Sequence, residues 1–460
     1  MNAIISLSVV TLVTLFAGVY KARKAVVPIA VLGLILSIGF LTMEWNHTTS
    51  YFNNMLTFDN YAVVFSVLLS AGTILVSLLY ADELEYDQID IPVAEAITLM
   101  VCALIGGITM VSFSNLVMLF LGIEILSIPL YVLAGSKKRN FASNEAALKY
   151  FLLGAFATGF VLFGIALIYG ATGSFHLTEI AKYSASGNEI QSIFYVGILL
   201  MLIGMAFKMG AAPFHFWTAD VYTGAPTIVT AFMSTVVKTA AVAAFFRLFF
   251  NCFEGLNSFW AMTLVIISAL TMFIGNITAV AQSSFKRMLA YSSIAHAGYL
   301  LLAVFTMTTT SGNAILLYST AYVFAGILAF SGLMIVQHFS GSDNFEAFNG
   351  LSKRNPFLAL CITAAMLSMS GIPPMAGFFG KFYIFSTALS QNYIWIVIWS
   401  VLMSCVGIYY YFKVIIAMYM KPCADEKSYP LSSTQQLVMI TALLASLIFG
   451  LAPGILTGLI

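Results

Sequence analysis

Charge is what this sequence has least of. Only 8% of its 460 residues are Asp, Glu, Lys or Arg, while 61% are hydrophobic and the mean hydropathy is +0.98. Soluble domains carry about 25% charged residues, so composition excludes a water-soluble globule and assigns an integral membrane protein. An excess of either sign is missing too: a net charge of +1 supplies neither a basic surface for nucleic acid nor an acidic disordered tail. Cysteine is sparse, and the five present (Cys102, Cys252, Cys361, Cys405 and Cys423) show no CxxC or CxxCH spacing. That spacing supports no disulfide framework, iron–sulfur site or c-type haem. Long polar segments are lacking as well. The longest connections, around 171–190 and 340–356, are too short to fold as separate domains, so whatever the chain does is done inside the membrane.

What the sequence has in abundance is apolar runs of bilayer length, about 20 residues each. Fourteen are expected, roughly at 3–20, 26–44, 60–80, 93–111, 114–134, 146–170, 191–213, 226–249, 258–280, 288–308, 313–339, 357–380, 393–418 and 435–458. The fold class is therefore an all-α polytopic membrane protein forming a single membrane domain. The first run has no basic residue before it and Lys21, Arg23 and Lys24 after it, the reverse of a signal peptide, so it stays as a span. Lysine and arginine set the orientation. With the N-terminus outside, the inner loops receive Lys21, Arg23, Lys24, Lys137, Lys138, Arg139, Lys286, Arg287, Lys353, Arg354, Lys421 and Lys427, and the outer loops only Lys182 and Arg247. Twelve against two places both termini on the outer face, although the acidic inner loop ADELEYDQID sits oddly there. The Lys137-Lys138-Arg139 triplet reads as an orientation anchor, with anionic lipid as its other use.

Five basic residues remain at membrane depth: Lys149, Lys208, Lys238, Lys381 and Lys413. Lys149 and Lys413 lie close enough to helix ends to snorkel, Lys413 remaining a secondary candidate. Lys208, Lys238 and Lys381 lie too deep for that. Glu124, in MLFLGIEILSIPLYVL, is the one carboxylate in the middle of a span, and an ion pair between Glu124 and Lys208 is the economical expectation. A static pair joining two helices is the plain alternative, but it adds little net stability over apolar packing and leaves the other buried cations unexplained.

Two spans are interrupted. Lys208 is followed by GAAPFHFWTADVYTGAP, and the twelfth run, LSMSGIPPMAGFFGKFYIF, carries Gly371, Pro373, Pro374, Gly377 and Gly380 just before Lys381. Backbone freed by such breaks needs protein or internal water to satisfy it, which points to a hydrated interior. The breaks fall in comparable places in successive five-span blocks, 93–249 and 258–418. An odd number of spans inverts the second block relative to the first, and paired broken helices in inverted repeats mark an ion or substrate site near the midplane.

A file of ionisable side chains suits protons better than organic solutes, because desolvation and a movable carboxylate can shift a lysine's proton affinity by several units. His296, in SSIAHAGYLL, reads equally as a relay or as a core histidine donating to a carbonyl. His215 reads as structural or interfacial, His338 lies near an inner helix end, and His47 and His176 fall in outer loops. No histidine pair has the one-helix spacing of a membrane haem.

The segments FLGIEILSIPLYVLAG, NEAALKYFLLGAFATGFVLFGIALIYGATGSF, FKMGAAPFHFWTADVYTGAPTIVTAF, KRMLAYSSIAHAGYLL and GIPPMAGFFGKF resemble the antiporter-like membrane subunits of bacterial respiratory NADH-quinone oxidoreductase. The wording WTADVYTGAPTIVTAF is most similar to the subunit N type, which corresponds to mitochondrial subunit 2, rather than to subunits L and M. The absence of a long C-terminal lateral helix agrees. The resemblance covers nearly the whole chain. It implies a proton relay in which Glu124 is the carboxylate of the fifth span, Lys208 its partner, Lys238 the central lysine of the eighth, His296 a histidine near the water path and Lys381 the link toward the outer side. It also implies that flavin and iron–sulfur clusters belong to partner subunits, with no cofactor or metal in this chain. Neighbours would be M-like and K/J/A-like membrane-arm subunits in the bacterial inner (plasma) membrane, with both termini periplasmic. A Mrp-type cation/proton antiporter subunit, which shares buried lysines, and a scaffold with a vestigial channel are the rival expectations.

Overall fold

The computed structural model describes residues 1–83, 91–186, 190–422 and 428–460. Most of the ADELEYDQID stretch, together with Cys423 and Lys427, lies outside the described residues.

In chain order the helices are α1 (Asn2–Val19), α2 (Arg23–Met43), α3 (Asn60–Glu83), α4 (Val93–Ser112), α5 (Leu116–Ala134), α6 (Phe141–Thr172), α7 (Leu177–Ser184), α8 (Ser192–Met209), α9 (Phe216–Gly224), α10 (Thr227–Phe232), α11 (Lys238–Cys252), α12 (Asn257–Val280), α13 (Phe285–Thr306), α14 (Ser311–Ser340), α15 (Leu351–Arg354), α16 (Pro356–Ser370), α17 (Ala376–Ser390), α18 (Ile394–Met420) and α19 (Ser433–Leu451). A π-helical turn, Met233–Val237, joins α10 to α11, and strands β1 (Thr49–Tyr51) and β2 (Leu56–Phe58) form a small hairpin between α2 and α3.

Among the described residues, thirteen helical passages are long and apolar enough to cross a membrane. The twelfth expected run is where the count departs from fourteen. It is split into α16 and α17, fifteen residues each, and at 1.5 Å per residue neither alone reaches the ~30 Å of a hydrocarbon core. The connection around 171–190 contains the short helix α7.

The passage Thr227–Cys252 is buried except at Phe250 and Asn251 near its end, and α13 and α14 are nearly buried along their lengths. These form the centre of the bundle. The peripheral helices turn apolar side chains outward, among them Phe16, Leu32, Phe156, Ile398 and Leu444, as spans facing lipid or neighbouring helices must. Small residues set the closest approaches: a Cβ on Gly106 would lie 2.3 Å from the Leu126 amide, so α4 and α5 touch backbone to backbone. Helix ends follow local chemistry. Asn115, Ser284 and Asn355 cap α5, α13 and α16 with their side-chain oxygens, and Ser432 with Gln435 forms a capping box on α19.

Two of the basic residues assigned to loops by sequence are buried on helices. Lys286 lies in the first turn of α13, 5% exposed, and its Nζ donates to the carbonyls of Thr223 (3.1 Å) and Ala225 (2.6 Å). Arg247 is also 5% exposed. Its Nε donates to the Phe113 carbonyl at 2.9 Å and its Nη1 pairs with Asp59 at 3.0 Å, tying α11 to the start of α3. Both cations close helix ends against neighbours, a role that counting charges between spans does not reveal.

Candidate functional site

Lys208 occupies the last turn of α8, which stops at Gly210 because that residue adopts φ +71. Its ammonium, nearly buried, donates to Ser127 Oγ on α5 at 2.6 Å, and that hydroxyl donates onward to the Ile123 carbonyl. The expected ion pair is therefore replaced. Glu124 is half-buried and within electrostatic reach, but among the described residues it forms no contact with Lys208 inside 4.0 Å. Ser127, three residues further along α5, offers an acceptor that is cheaper to bury than a carboxylate.

Lys238 follows the π-helical turn directly. An extra residue in that turn offsets the register of α11 from α10, and such single-turn π segments occur frequently at functional sites. The Lys238 ammonium, 3% exposed, donates to the Ser293 carbonyl at 2.6 Å and to Ser293 Oγ at 3.0 Å on α13.

One turn further along α13, His296 has both ring nitrogens bound. Nδ1 is 2.6 Å from the Tyr318 hydroxyl of α14, and Nε2 is 3.0 Å from the Tyr411 hydroxyl of α18. The core reading, a ring donating to a carbonyl, does not apply. Each hydroxyl can donate or accept, so the imidazole can exchange tautomers without turning. Tyr411 also contacts Ser292 Oγ at 2.5 Å, and Ser292 adjoins the Ser293 that binds Lys238.

Lys381 lies on α17 and reaches back over the second break. Its Nζ donates to the Ser370 carbonyl at 2.9 Å and to Ser404 Oγ at 2.7 Å, and it stands 5.0 Å from the Tyr299 ring centroid. Ser370 ends α16, so the ammonium meets the negative end of a helix dipole. Gly371, at φ +83, makes room for the lysine stem. His296, Tyr318, Tyr322 and Lys381 line a small cavity with about 10 Å³ open to the centre of a water, room for roughly one molecule. Tyr299 in turn meets Asn276, which accepts from Tyr410.

The structure thus brings Lys238, His296 and Lys381 into one polar cluster across α11, α13, α14, α17 and α18. Lys208 stands apart, with no hydrogen bond joining it to Lys238 among the described residues. Lys413 is only half-buried and donates to the Gln282 carbonyl at 3.3 Å over the Phe345 ring, outside the cluster. Lys149 is half-exposed and paired with Glu145 and Asp220. His215 is stacked on Phe216 within the first break. The backbone of both breaks is satisfied largely by protein: Ala212 donates to Thr271 Oγ1, and Gly377 to Ser368 Oγ.

Sequence reasoning missed Ser127, Ser293, Tyr318 and Tyr411. The tyrosines carried a signal, since a hydroxyl inside an apolar run such as GIYYYFKVI requires a partner when buried. Among the described residues, no three His, Cys, Asp or Glu side chains converge to hold a metal.

Residues 114–407 match the family described as NADH:quinone oxidoreductase/Mrp antiporter, TM. NADH-quinone oxidoreductase subunit N of Cytophaga hutchinsonii is 40% identical over 457 residues, covering 99% of this chain and 98% of that one. The chain belongs to this family. Among solved structures, a chain of respiratory complex I from Thermus thermophilus with bound aureothin superposes with a TM-score of 0.85 at 34% identity, covering 99% of both chains. A chain of the Mrp complex from Dietzia sp. DQ12-45-1b shares the fold, with a TM-score of 0.85 at 18% identity over 100% of this chain and 94% of that one.

Proposed function

We propose that this chain is a proton-translocating membrane subunit of an NADH-quinone oxidoreductase, moving protons from the cytoplasmic to the periplasmic side while other subunits oxidise NADH and reduce quinone. The observation that carries this is the polar cluster in the centre of the bundle, where two buried lysines, each hydrogen-bonded to a serine, flank a histidine bound at both ring nitrogens. A relay needs cations whose acceptors can release them, and hydroxyls and carbonyls release an ammonium group more readily than a buried carboxylate does. Lys208 with Ser127 and Glu124 forms the intake side, Lys238 and His296 the centre and Lys381 the outlet. The energy scale is modest: moving one charge against 100 mV costs about 2.3 kcal/mol.

Both breaks support an inverted pairing of 93–249 with 258–418. Gly210 and Gly371 are each left-handed, and the residue after each donates to the carbonyl five positions back, Ala211 to Ala206 and Ile372 to Leu367. Lys208 and Lys381 then flank equivalent hinges. The chain carries no flavin, iron–sulfur cluster or nicotinamide in this reading; it sits in the bacterial inner membrane beside M-like and K/J/A-like membrane-arm subunits. Both termini are periplasmic, an assignment that rests on the Lys and Arg bias of the loops.

The likeness to a Mrp chain makes sodium transport the second reading. Redox-driven pumping by inverted membrane vesicles separates the two. With NADH as donor and sodium replaced by choline, acidification of the vesicle lumen is expected to persist in the native protein and to collapse in Lys238→Ala. Pumping that stops without sodium favours the antiporter; pumping unchanged by Lys238→Ala leaves only a scaffold.

A further inference from the structure

The charged groups around α9 are not part of the relay, yet they hold it from two sides. Asp220, near the middle of this nine-residue helix, accepts from Lys149 Nζ on α6 at 2.7 Å, and Lys149 also binds Glu145 at 2.8 Å. From the other side Arg287, on α13, lies 3.8 Å from the second Asp220 oxygen. The preceding residue, Lys286, is buried and binds the Thr223 and Ala225 carbonyls at the end of α9. A short helix is thus clamped by α6 through one lysine and by α13 through two cations.

Movement of α9 cannot leave Lys208 unaffected. Trp217, one turn before Asp220, donates from Nε1 to the Phe207 carbonyl at 3.1 Å, the residue adjoining Lys208, and its ring stacks between Tyr150 and Phe207 at 4.8 and 5.5 Å. Six residues, 210–215, are all that separate α9 from α8. The Thr218 hydroxyl, fully buried in the same turn, has no hydrogen-bond partner among the described residues. Meanwhile α13, which supplies Lys286 and Arg287, also carries the Ser293 that binds Lys238 and the relay histidine His296.

We propose that Asp220 is a positioning residue: its bridge between Lys149 and Arg287 holds α9 in the register that keeps Lys208 on Ser127 and links that register to α13. This rests on the proton-pumping reading above. The pair is partly solvated, with side chains 39–46% exposed, so its worth lies in geometry and charge rather than in stability.

The test measures protons moved per NADH oxidised in vesicles carrying the assembled complex. Assembly and NADH oxidation by an artificial acceptor are followed alongside. Asp220→Asn is expected to lower the ratio at least threefold at unchanged acceptor activity, and Asp220→Glu to keep it within twofold of native. A merely structural role changes the amount of complex and not this ratio. Should Asp220→Asn prevent assembly, Lys149→Met removes the same bridge from α6 and decides by the same ratio. A native ratio in the assembled variant overturns the proposal. Lys208→Ala, run in parallel, separates the two failures: if it pumps normally the relay reading itself has failed, and if it does not while Asp220→Asn does, only the positioning role has.

Discussion

Tyr411→Phe removes a single hydroxyl from the centre of the bundle, and its neighbours in the sequence supply the controls. That hydroxyl contacts both His296 Nε2 at 3.0 Å and Ser292 Oγ at 2.5 Å, and so joins the histidine to the serine pair beside Lys238. A net hydrogen bond is worth roughly 0.5–1.5 kcal/mol, so losing two weakens the bridge by about 1–3 kcal/mol. At about 1.4 kcal/mol per tenfold, a proton step through Tyr411 slows roughly five- to 150-fold. Tyr410→Phe removes a hydroxyl that donates to Asn276 at 3.1 Å and does not touch His296, and Tyr409 is exposed on the outside of α18. The assay is NADH-driven lumen acidification together with coupled quinone reductase turnover, normalised to assembled complex. Tyr411→Phe is expected to fall at least fivefold, Tyr410→Phe less than twofold and Tyr409→Phe not at all. Equal losses in Tyr410→Phe and Tyr411→Phe, or native rates in the latter, refute the bridge.

Gly371→Ala forces a side chain into left-handed backbone, at about 1–2 kcal/mol, and sets its Cβ 2.8 Å from Lys381 Cδ. Pumping is expected to drop severalfold, whereas Gly173→Ala, with similar backbone and open space around it, loses only the backbone share of thermal stability and pumps normally. Arg247→Ala leaves the Phe113 carbonyl without its buried donor and loses contact with a partly exposed Asp59, for about 1–3 kcal/mol. A lower thermal inactivation midpoint of the detergent-solubilised complex is the expected readout, with Arg247→Lys in between; an unchanged midpoint would show the tie to be dispensable.

The membrane class, most span positions, both breaks and the three deepest lysines were legible because each is a local property: hydropathy over 20 residues, glycine and proline clusters, and a charge too far from a helix end to snorkel. What binds those lysines was not. Ser127, Ser293 and Ser404 each come from a different helix than the lysine they bind, and serine is too ordinary in an apolar helix to announce itself. The same reasoning misassigned Glu124 as the direct partner of Lys208, since pairing by charge ignores a hydroxyl three residues away that takes the contact. Lys286 and Arg247 were read as loop charges because they lie near helix ends, but burial there depends on which neighbouring helix end packs above them. His296 was undecided from sequence, and two tyrosines contributed by other helices decide its environment.

The central claim is that a buried lysine at the first break carries or gates a proton. The direct test is protons translocated per NADH oxidised in vesicles carrying Lys208→Ala, with assembly and artificial-acceptor reduction measured on the same membranes. The account predicts native assembly and acceptor activity with a reduced proton ratio and slowed coupled quinone reduction. An unchanged ratio in fully assembled complex would contradict it and leave Lys208 as a structural cation held by Ser127.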